Sequence, residues 1–542
     1  MPERLLSRLA AQPAWLLALC GVSFFFLLGG HTLWDVDEPN NAVCAREMLA
    51  TGNWWVPVFN GELRFDKPIL IYWLMMPLYA LFGISELTAR LPSAMAMTGL
   101  VFVVCYFARR LIDPRAGVLA AVLLASALHM MVISRAAVPD PLLILCLAFA
   151  LLAFLTVYVE SRQGKIPSLR LLIASYAALG LGMLAKGPIA AVMPVLILAS
   201  FLTLQRDWSS WRIFRPWMGI GIAAVIALPW YITVGALTDG EWLQGFLFHH
   251  NLDRFTDSLQ GHRGFPGLYV LSFVLGWFPW SGLLVAVLAF GIWHIQRLRE
   301  QPMRLFLLCW IGVFLIFFSI ARTQLPNYIL PAFPAAAVLM ALWLQQADKE
   351  MQEKAWRWLV WTALGMSVLL AIGGAIAVQV MWPGEWFYPL ALASVAVAAI
   401  WWLIQKPGPP VIPILAGMLV CTVLLAGWSV PGIDHHKVTR QIAQQASASG
   451  FDGESLATFH YFQPSLLYYH GGRLPMLTDV RAVGQWLVQG KAIVMPEHAL
   501  TELPPDILPY LLIHERVHGL YARKVLLLLS LQPVEGISWP KG

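Results

Sequence analysis

The chain has 542 residues, 59% of them hydrophobic and 12% charged, with a formal charge of +6. Soluble domains carry nearer a quarter charged residues, so the balance excludes an ordinary water-soluble protein. The net positive charge is no nucleic-acid signal, because Lys and Arg are scattered between apolar runs and not gathered on one patch.

A bilayer core about 30 Å thick takes roughly 20 residues of helix. Apolar runs between charged or Pro/Gly breaks predict an α-helical polytopic membrane protein with about thirteen transmembrane helices. Their expected limits are 13–30, 88–108, 116–134, 141–159, 170–185, 187–204, 217–236, 267–294, 304–321, 328–345, 357–381, 387–404 and 411–430. Arg4 and Arg8 before an apolar run resemble a signal peptide, but no small-residue cleavage site follows, which predicts an uncleaved first span. Pro68–Phe82 is short, follows polar residues and is expected to lie along the interface.

Short cytoplasmic loops are enriched in Lys and Arg. With the N-terminus placed inside, inner segments hold eighteen such residues and the outer loops before residue 431 hold nine. That bias predicts a cytoplasmic N-terminus and, after an odd number of spans, a periplasmic C-terminus. Residues 1–430 form the expected transmembrane domain, with loop 31–87 outside. Residues 431–542 read as a soluble α/β domain, with a helix at Val438–Ser449 and strands at Ala492–Met495 and Val525–Leu531. Five of the six cysteines lie in apolar spans and Cys44 in a polar stretch; no pair has metal or redox spacing.

The outer loops hold the chemistry-bearing residues. In the first, Asp35, Asp37 and Glu38 precede Pro39 at a helix start. Capping explains one acid there, not three within four residues. The loop continues to Asp66-Lys67-Pro68, where a lysine re-entering the interface reaches lipid phosphate or simply snorkels. Asp140 stands between Pro139 and Pro141, and Lys186-Gly187-Pro188 places a lysine between two apolar runs. An ionisable group at such depth is costly, which points to function. Loop 237–266 adds His249, His250, Asn251, Asp253, Arg254, His262 and Arg263, with no diagnostic metal spacing. Carboxylates that accept a proton and cations that hold a phosphate suit a reaction on a phosphate ester at the membrane surface.

His514-Glu515-Arg516-Val517-His518 matches H-E-x-x-H, which binds zinc only when a helix presents both imidazoles on one face. Pro509 lies five residues upstream and Gly519 follows at once, so a surface loop is expected. A transporter would call for broken helices, mid-membrane polar residues and repeated halves. Apolar spans with ionisable residues crowded at one face favour an enzyme over a lipid or lipid-linked-sugar transporter. An anchored sensor leaves the first-loop acids unexplained.

With those residues in view, the chain resembles the bacterial lipid A aminoarabinose transferases and their protein O-mannosyltransferase relatives, polyprenyl-phosphate-sugar-dependent glycosyltransferases of GT-C type. Trp34–Met48 is similar to the family's D-E-x-R-Y-A-x-x-A-R-E-M stretch and Arg64–Trp73 to its Y-F-E-K-P segment. Leu184–Pro188 is similar to L-x-K-G-P, and Leu325–Pro334 to L-P-x-Y-I-L-P-x-x-P. The resemblance implies a bacterial inner-membrane enzyme with a periplasmic active site; a monomer is expected. It moves a sugar from a polyprenyl phosphate to a lipid (lipid A-like), glycan or protein acceptor, with inversion. It implies Asp37 as the catalytic carboxylate, Asp140 as a second acid, and Lys67 and Arg254 on the carrier phosphate, with Asp66 replacing the family's glutamate. The family histidine falls at His250 or Asn251. Residue reading and resemblance together give Asp37, Glu38 and Asp140 as catalytic candidates. Asp66, Lys67, Lys186, His250, Asn251 and Arg254 are the candidates for carrier and substrate. No cofactor is required; assistance by a divalent cation is left open. The sequence departs from the family at Asn40-Asn41, Arg64 and Gln324, residues that the resemblance implies face the sugar or acceptor.

Overall fold

The computed structural model describes residues 14–247, 265, 267–292, 295–406, 408–505, 507–519 and 524–532. The chain divides into two compact units. One comprises Met1–Leu28, Phe65–Ile71 and Arg90–Ser429; the other comprises Gly29–Arg64, Tyr72–Ala89 and Val430–Gly542.

The first unit is helical, and every predicted span holds helix. Among the described residues nine helices are long and apolar enough to cross a membrane, with Asp140–Arg162 and Pro326–Gln346 the most enclosed by protein. The other predicted spans are shorter or interrupted. Trp15–Phe25 and Ile189–Gln205 are short apolar helices, and 116–134 is a pair, Pro114–Ala125 and Leu128–Ser134, bent by 66°. The segment 267–294 contains Leu268–Gly276 and Ser281–Ile292.

Local signals set several boundaries. Asp113 accepts from the Ala116 amide at 2.7 Å with Pro114 at the first helical position, and Asp348 accepts from the Met351 amide at 2.8 Å. The two interruptions support each other. A helix break frees backbone groups that lipid cannot satisfy. Here the Leu128 amide donates to the Phe278 carbonyl at 2.8 Å, and the buried Trp280 indole donates to Ser126 Oγ at 3.0 Å. Two arginines counted in the outer loops are also accounted for. Arg90, fully buried, donates to the Leu28 carbonyl at 3.0 Å, and Arg135 to the Phe26 carbonyl at 2.7 Å. Both take carbonyls beyond the end of Trp15–Phe25, where no helical partner remains.

The second unit holds helix Asp37–Thr51, a small hairpin of β1 (Val58–Phe59) and β2 (Glu62–Leu63), and a five-stranded sheet. The sheet contains β3 (Leu456–Phe459), β4 (Met476–Leu477), β5 (Ala492–Pro496), β6 (Leu511–Gly519) and β7 (Lys524–Leu531), in the order β4-β3-β5-β7-β6. The first three are parallel and linked through helices Pro464–His470 and Val480–Val488; β6 and β7 are antiparallel. β3 and β5 are buried throughout, as parallel strands are. The predicted helix and both predicted strands appear as Thr439–Ala448, β5 and β7. The H-E-x-x-H segment is not the expected loop but the strand β6, paired with β7.

Candidate active site

In the first unit a cavity of about 330 Å³ gathers Asp66, Lys67, Asp140 and Lys186. Three stretches far apart in sequence supply them. Asp140 opens helix Asp140–Arg162 and Lys186 closes helix Leu169–Lys186. An acid at a helix N-terminus and a cation at a C-terminus are each favoured by the helix dipole. Lys186 Nζ donates to Asp140 Oδ1 at 2.6 Å, with side chains 16% and 9% exposed. Asn327 Nδ2 donates to the same oxygen at 3.0 Å, and the Tyr328 ring centroid lies 5.1 Å from the lysine nitrogen. Each charge is thus matched where water is scarce, the condition for keeping an ion pair there.

Gly187 makes the lysine's position attainable. Its φ of +82° suits glycine, and a Cβ there would stand 2.5 Å from Phe246 Cζ. Asp66 and Lys67 are half-buried on the same cavity. The same cavity is also lined by apolar Leu143, Val192, Phe314, Phe317 and Phe318. Charged groups in a largely apolar cavity suit an amphiphile with an anionic head.

The second unit holds the first-loop acids, and the three have different surroundings. Asp37 is exposed at the first residue of helix Asp37–Thr51. Glu38 is 3% exposed and its Oε2 accepts from the Trp34 amide at 2.8 Å, so this carboxylate closes the loop on itself. Asp35 accepts from the Ser465 amide at 2.8 Å and from the Ser465 hydroxyl. Burial pushes its carboxyl above the usual range, against the lowering effect of Ser465 and Lys437. The loop start is fixed equally firmly. Asp434 accepts from the Thr32 amide at 2.9 Å and hydroxyl at 2.7 Å, Lys437 donates to the Thr32 carbonyl at 3.0 Å, and its Nζ sits 3.7 Å from the Trp34 ring centroid. Residues some 400 positions later therefore set the conformation of the acidic loop.

β6 excludes the zinc reading. At about 3.3 Å per residue, His514 and His518 are roughly 13 Å apart along a strand, too far to share one ion. The bulge between Ile513 and Glu515 further disturbs their facing, and His514 Nε2 bonds Ser530 Oγ at 2.7 Å. Candidates His250, Asn251 and Arg254, with His249, Asp253, His262 and Arg263, lie outside the described residues. Reading the sequence did not single out Asn327, Tyr328 or Phe246. The first two stand in a segment matched to the family as a pattern, and Phe246 is one apolar residue among many.

Residues 27–242 match the family model described as dolichyl-phosphate-mannose-protein mannosyltransferase. The undecaprenyl phosphate-α-4-amino-4-deoxy-L-arabinose arabinosyl transferase of Pectobacterium atrosepticum is 30% identical over 398 residues, 72% of this chain and 69% of the relative. That of Aeromonas salmonicida is 34% identical over 354 residues, 64% of this chain and 62% of the relative. The chain thus matches somewhat under two thirds of the length of several such relatives. The crystal structure of ArnT from Cupriavidus metallidurans bound to undecaprenyl phosphate superposes with a TM-score of 0.78 at 23% identity, covering 97% of this chain and 99% of that one. At that identity the likeness is one of fold.

Proposed function

We propose that this chain, which belongs to the family of the undecaprenyl phosphate-α-4-amino-4-deoxy-L-arabinose arabinosyl transferases, is an inverting glycosyltransferase at the outer face of the bacterial inner membrane. Its donor is a sugar on undecaprenyl or a related polyprenyl phosphate, and its acceptor a lipid of the lipid A type. The observation that carries this reading is the cavity in which Asp66, Lys67, Asp140 and Lys186 meet in a largely apolar lining. The isoprenoid chain lies along Phe314, Phe317 and Phe318, and the phosphate faces Lys67.

The acceptor oxygen attacks the anomeric carbon, the bond from that carbon to the phosphate oxygen breaks, and the carrier phosphate leaves with the electron pair. The phosphate gains a negative charge in this step, which a preorganised cation stabilises more than the starting diester. Lys67 has that role, with Arg254 as the partner the family pattern implies. Asp37 receives the acceptor proton as general base. Asp140, itself held by Asn327, fixes the Lys186 ammonium, and Glu38 shapes the loop that carries Asp37. One displacement inverts the anomeric centre.

Asn40, Asn41, Arg64 and Gln324 stand where the family pattern has other residues. Arg64 is buried against the Phe59 ring and Gln324 bonds the Ser319 and Ala321 carbonyls. Purified protein given a panel of radiolabelled polyprenyl-phosphate sugars and lipid A tests the reading. Label moving from carrier to lipid is the expected result. No transfer to lipid A from any donor in the panel would remove it.

A further inference from the structure

A second cavity, of about 290 Å³, lies in the first unit; it adjoins the charged one at the start of helix Ile189–Gln205, where Ala191 and Val195 line it beside Val192 of the other, and it extends away from there with an almost wholly apolar lining. Phe154 on its wall is fourteen residues beyond Asp140 in the same helix, about 21 Å along the axis. The other wall is the short 3₁₀ helix Trp208–Phe214 with Pro216 after it. Residues three apart eclipse one another in a 3₁₀ helix. Trp208, Trp211 and Phe214 therefore share the face that lines the cavity, while Ser209 and Arg212 share the next, with Arg215 just beyond the helix end.

The segment is held rigidly. Tyr176 Oη donates to the Phe214 carbonyl at 2.7 Å, and Asp207 is engaged by Tyr158, Ser209, Ser210 and Arg162. Arg206, Arg212 and Arg215 are exposed, and none makes an ion pair or side-chain hydrogen bond to another described residue. Trp208, 54% exposed, and Trp217, 76% exposed, are the amphipathic aromatic residues that favour a headgroup region.

We infer that this cavity is a binding slot for an anionic glycerophospholipid, with one acyl chain among Phe154, Leu198 and Phe214 and the headgroup phosphate on Arg212 and Arg215. An apolar slot alone would accept any lipid; three uncompensated guanidinium groups at its rim select a negative one, because guanidinium pairs with phosphate in a bidentate fork. Hydrogen bonding of this kind adds to the attraction that basic residues have for an anionic leaflet.

Native mass spectrometry of the purified full chain with equimolar phosphatidylglycerol and phosphatidylcholine of matched acyl chains tests this. Wild type retains phosphatidylglycerol at least tenfold over phosphatidylcholine. Arg212→Ala/Arg215→Ala loses that preference, Arg212→Lys/Arg215→Lys, which keeps the charge but not the fork, keeps only the lesser part of it, and Ala223→Phe, which fills the slot, loses the retained lipid. Equal retention of both lipids by wild type, or an unchanged preference in the alanine pair, overturns the proposal. It is also overturned if undecaprenyl phosphate displaces phosphatidylglycerol from wild type and the alanine pair loses the carrier too. The slot would then belong to the carrier. Because none of these residues lines the charged cavity, sugar transfer in detergent is unchanged in the alanine pair.

Discussion

Asp140 Oδ1 accepts from Lys186 Nζ at 2.6 Å and from Asn327 Nδ2 at 3.0 Å, so one carboxylate oxygen joins two helix ends and the segment before a third helix. Removing one member of a buried pair strands the other charge, at a cost of about 3–5 kcal/mol. Asp140→Ala is therefore expected to lower thermal stability in detergent sharply. Asp140→Leu/Lys186→Met recovers much of it while remaining inactive. A double-mutant cycle by thermal unfolding reads the coupling; an additive cycle would show that the contact carries no energy.

Gly187→Ala tests how the lysine is placed. It puts a Cβ at positive φ and 2.5 Å from Phe246. Overpacking alone costs about 1–3 kcal/mol. Thermal unfolding should fall accordingly, with partial recovery in Gly187→Ala/Phe246→Ala. A variant as stable as wild type would mean the turn relaxes freely.

The acidic loop depends on the C-terminal sheet unit. Ser465→Ala leaves the half-buried Asp35 with one donor fewer, a loss of about 1 kcal/mol. Transfer should drop while carrier binding is unchanged, because Lys67 is untouched. Calorimetry with undecaprenyl phosphate and the transfer assay separate the two effects.

His470 gives a pH dependence. Burial holds its imidazole below the ordinary 6.5, so the folded state binds fewer protons than the unfolded one below that pH. Stability is fully present above pH 6.5 and declines as pH falls through 6.5 towards the folded value. His470→Gln should flatten the unfolding curve over that window; an unaltered slope would assign it to other groups.

Much of the fold was legible because it rests on length and periodicity. Runs of roughly 20 apolar residues found the helices, and the polar pattern at Thr439–Ala448 and the apolar runs of β5 and β7 found the sheet unit. The breaks at 126–127 and 277–280 were not legible, since Phe278 and Trp280 close them only in three dimensions. β6 reads as a loop in the sequence because Pro509 and Gly519 bracket it and its charged residues mask the strand alternation, which the bulge further interrupts. Of the residues lining the charged cavity, Asp140 and Lys186 are legible as ionisable residues between apolar runs, and Asp66 and Lys67 as charges where the chain re-enters the interface. Asn327 gave no such signal, and neither did the bonds from Asp434 to Thr32 and from Ser465 to Asp35, which link residues over 400 apart.

The most direct measurement is the initial rate of sugar transfer from a radiolabelled polyprenyl-phosphate donor by wild type, Asp37→Asn and Lys67→Met, each confirmed folded by gel filtration. General-base catalysis contributes typically 10²–10⁴-fold, so Asp37→Asn should lose on the order of a hundredfold or more in kcat while donor KM stays nearly constant. Lys67→Met should lose both kcat and carrier affinity. Two variants that transfer as fast as wild type would contradict a phosphate held by Lys67 and a proton taken by Asp37.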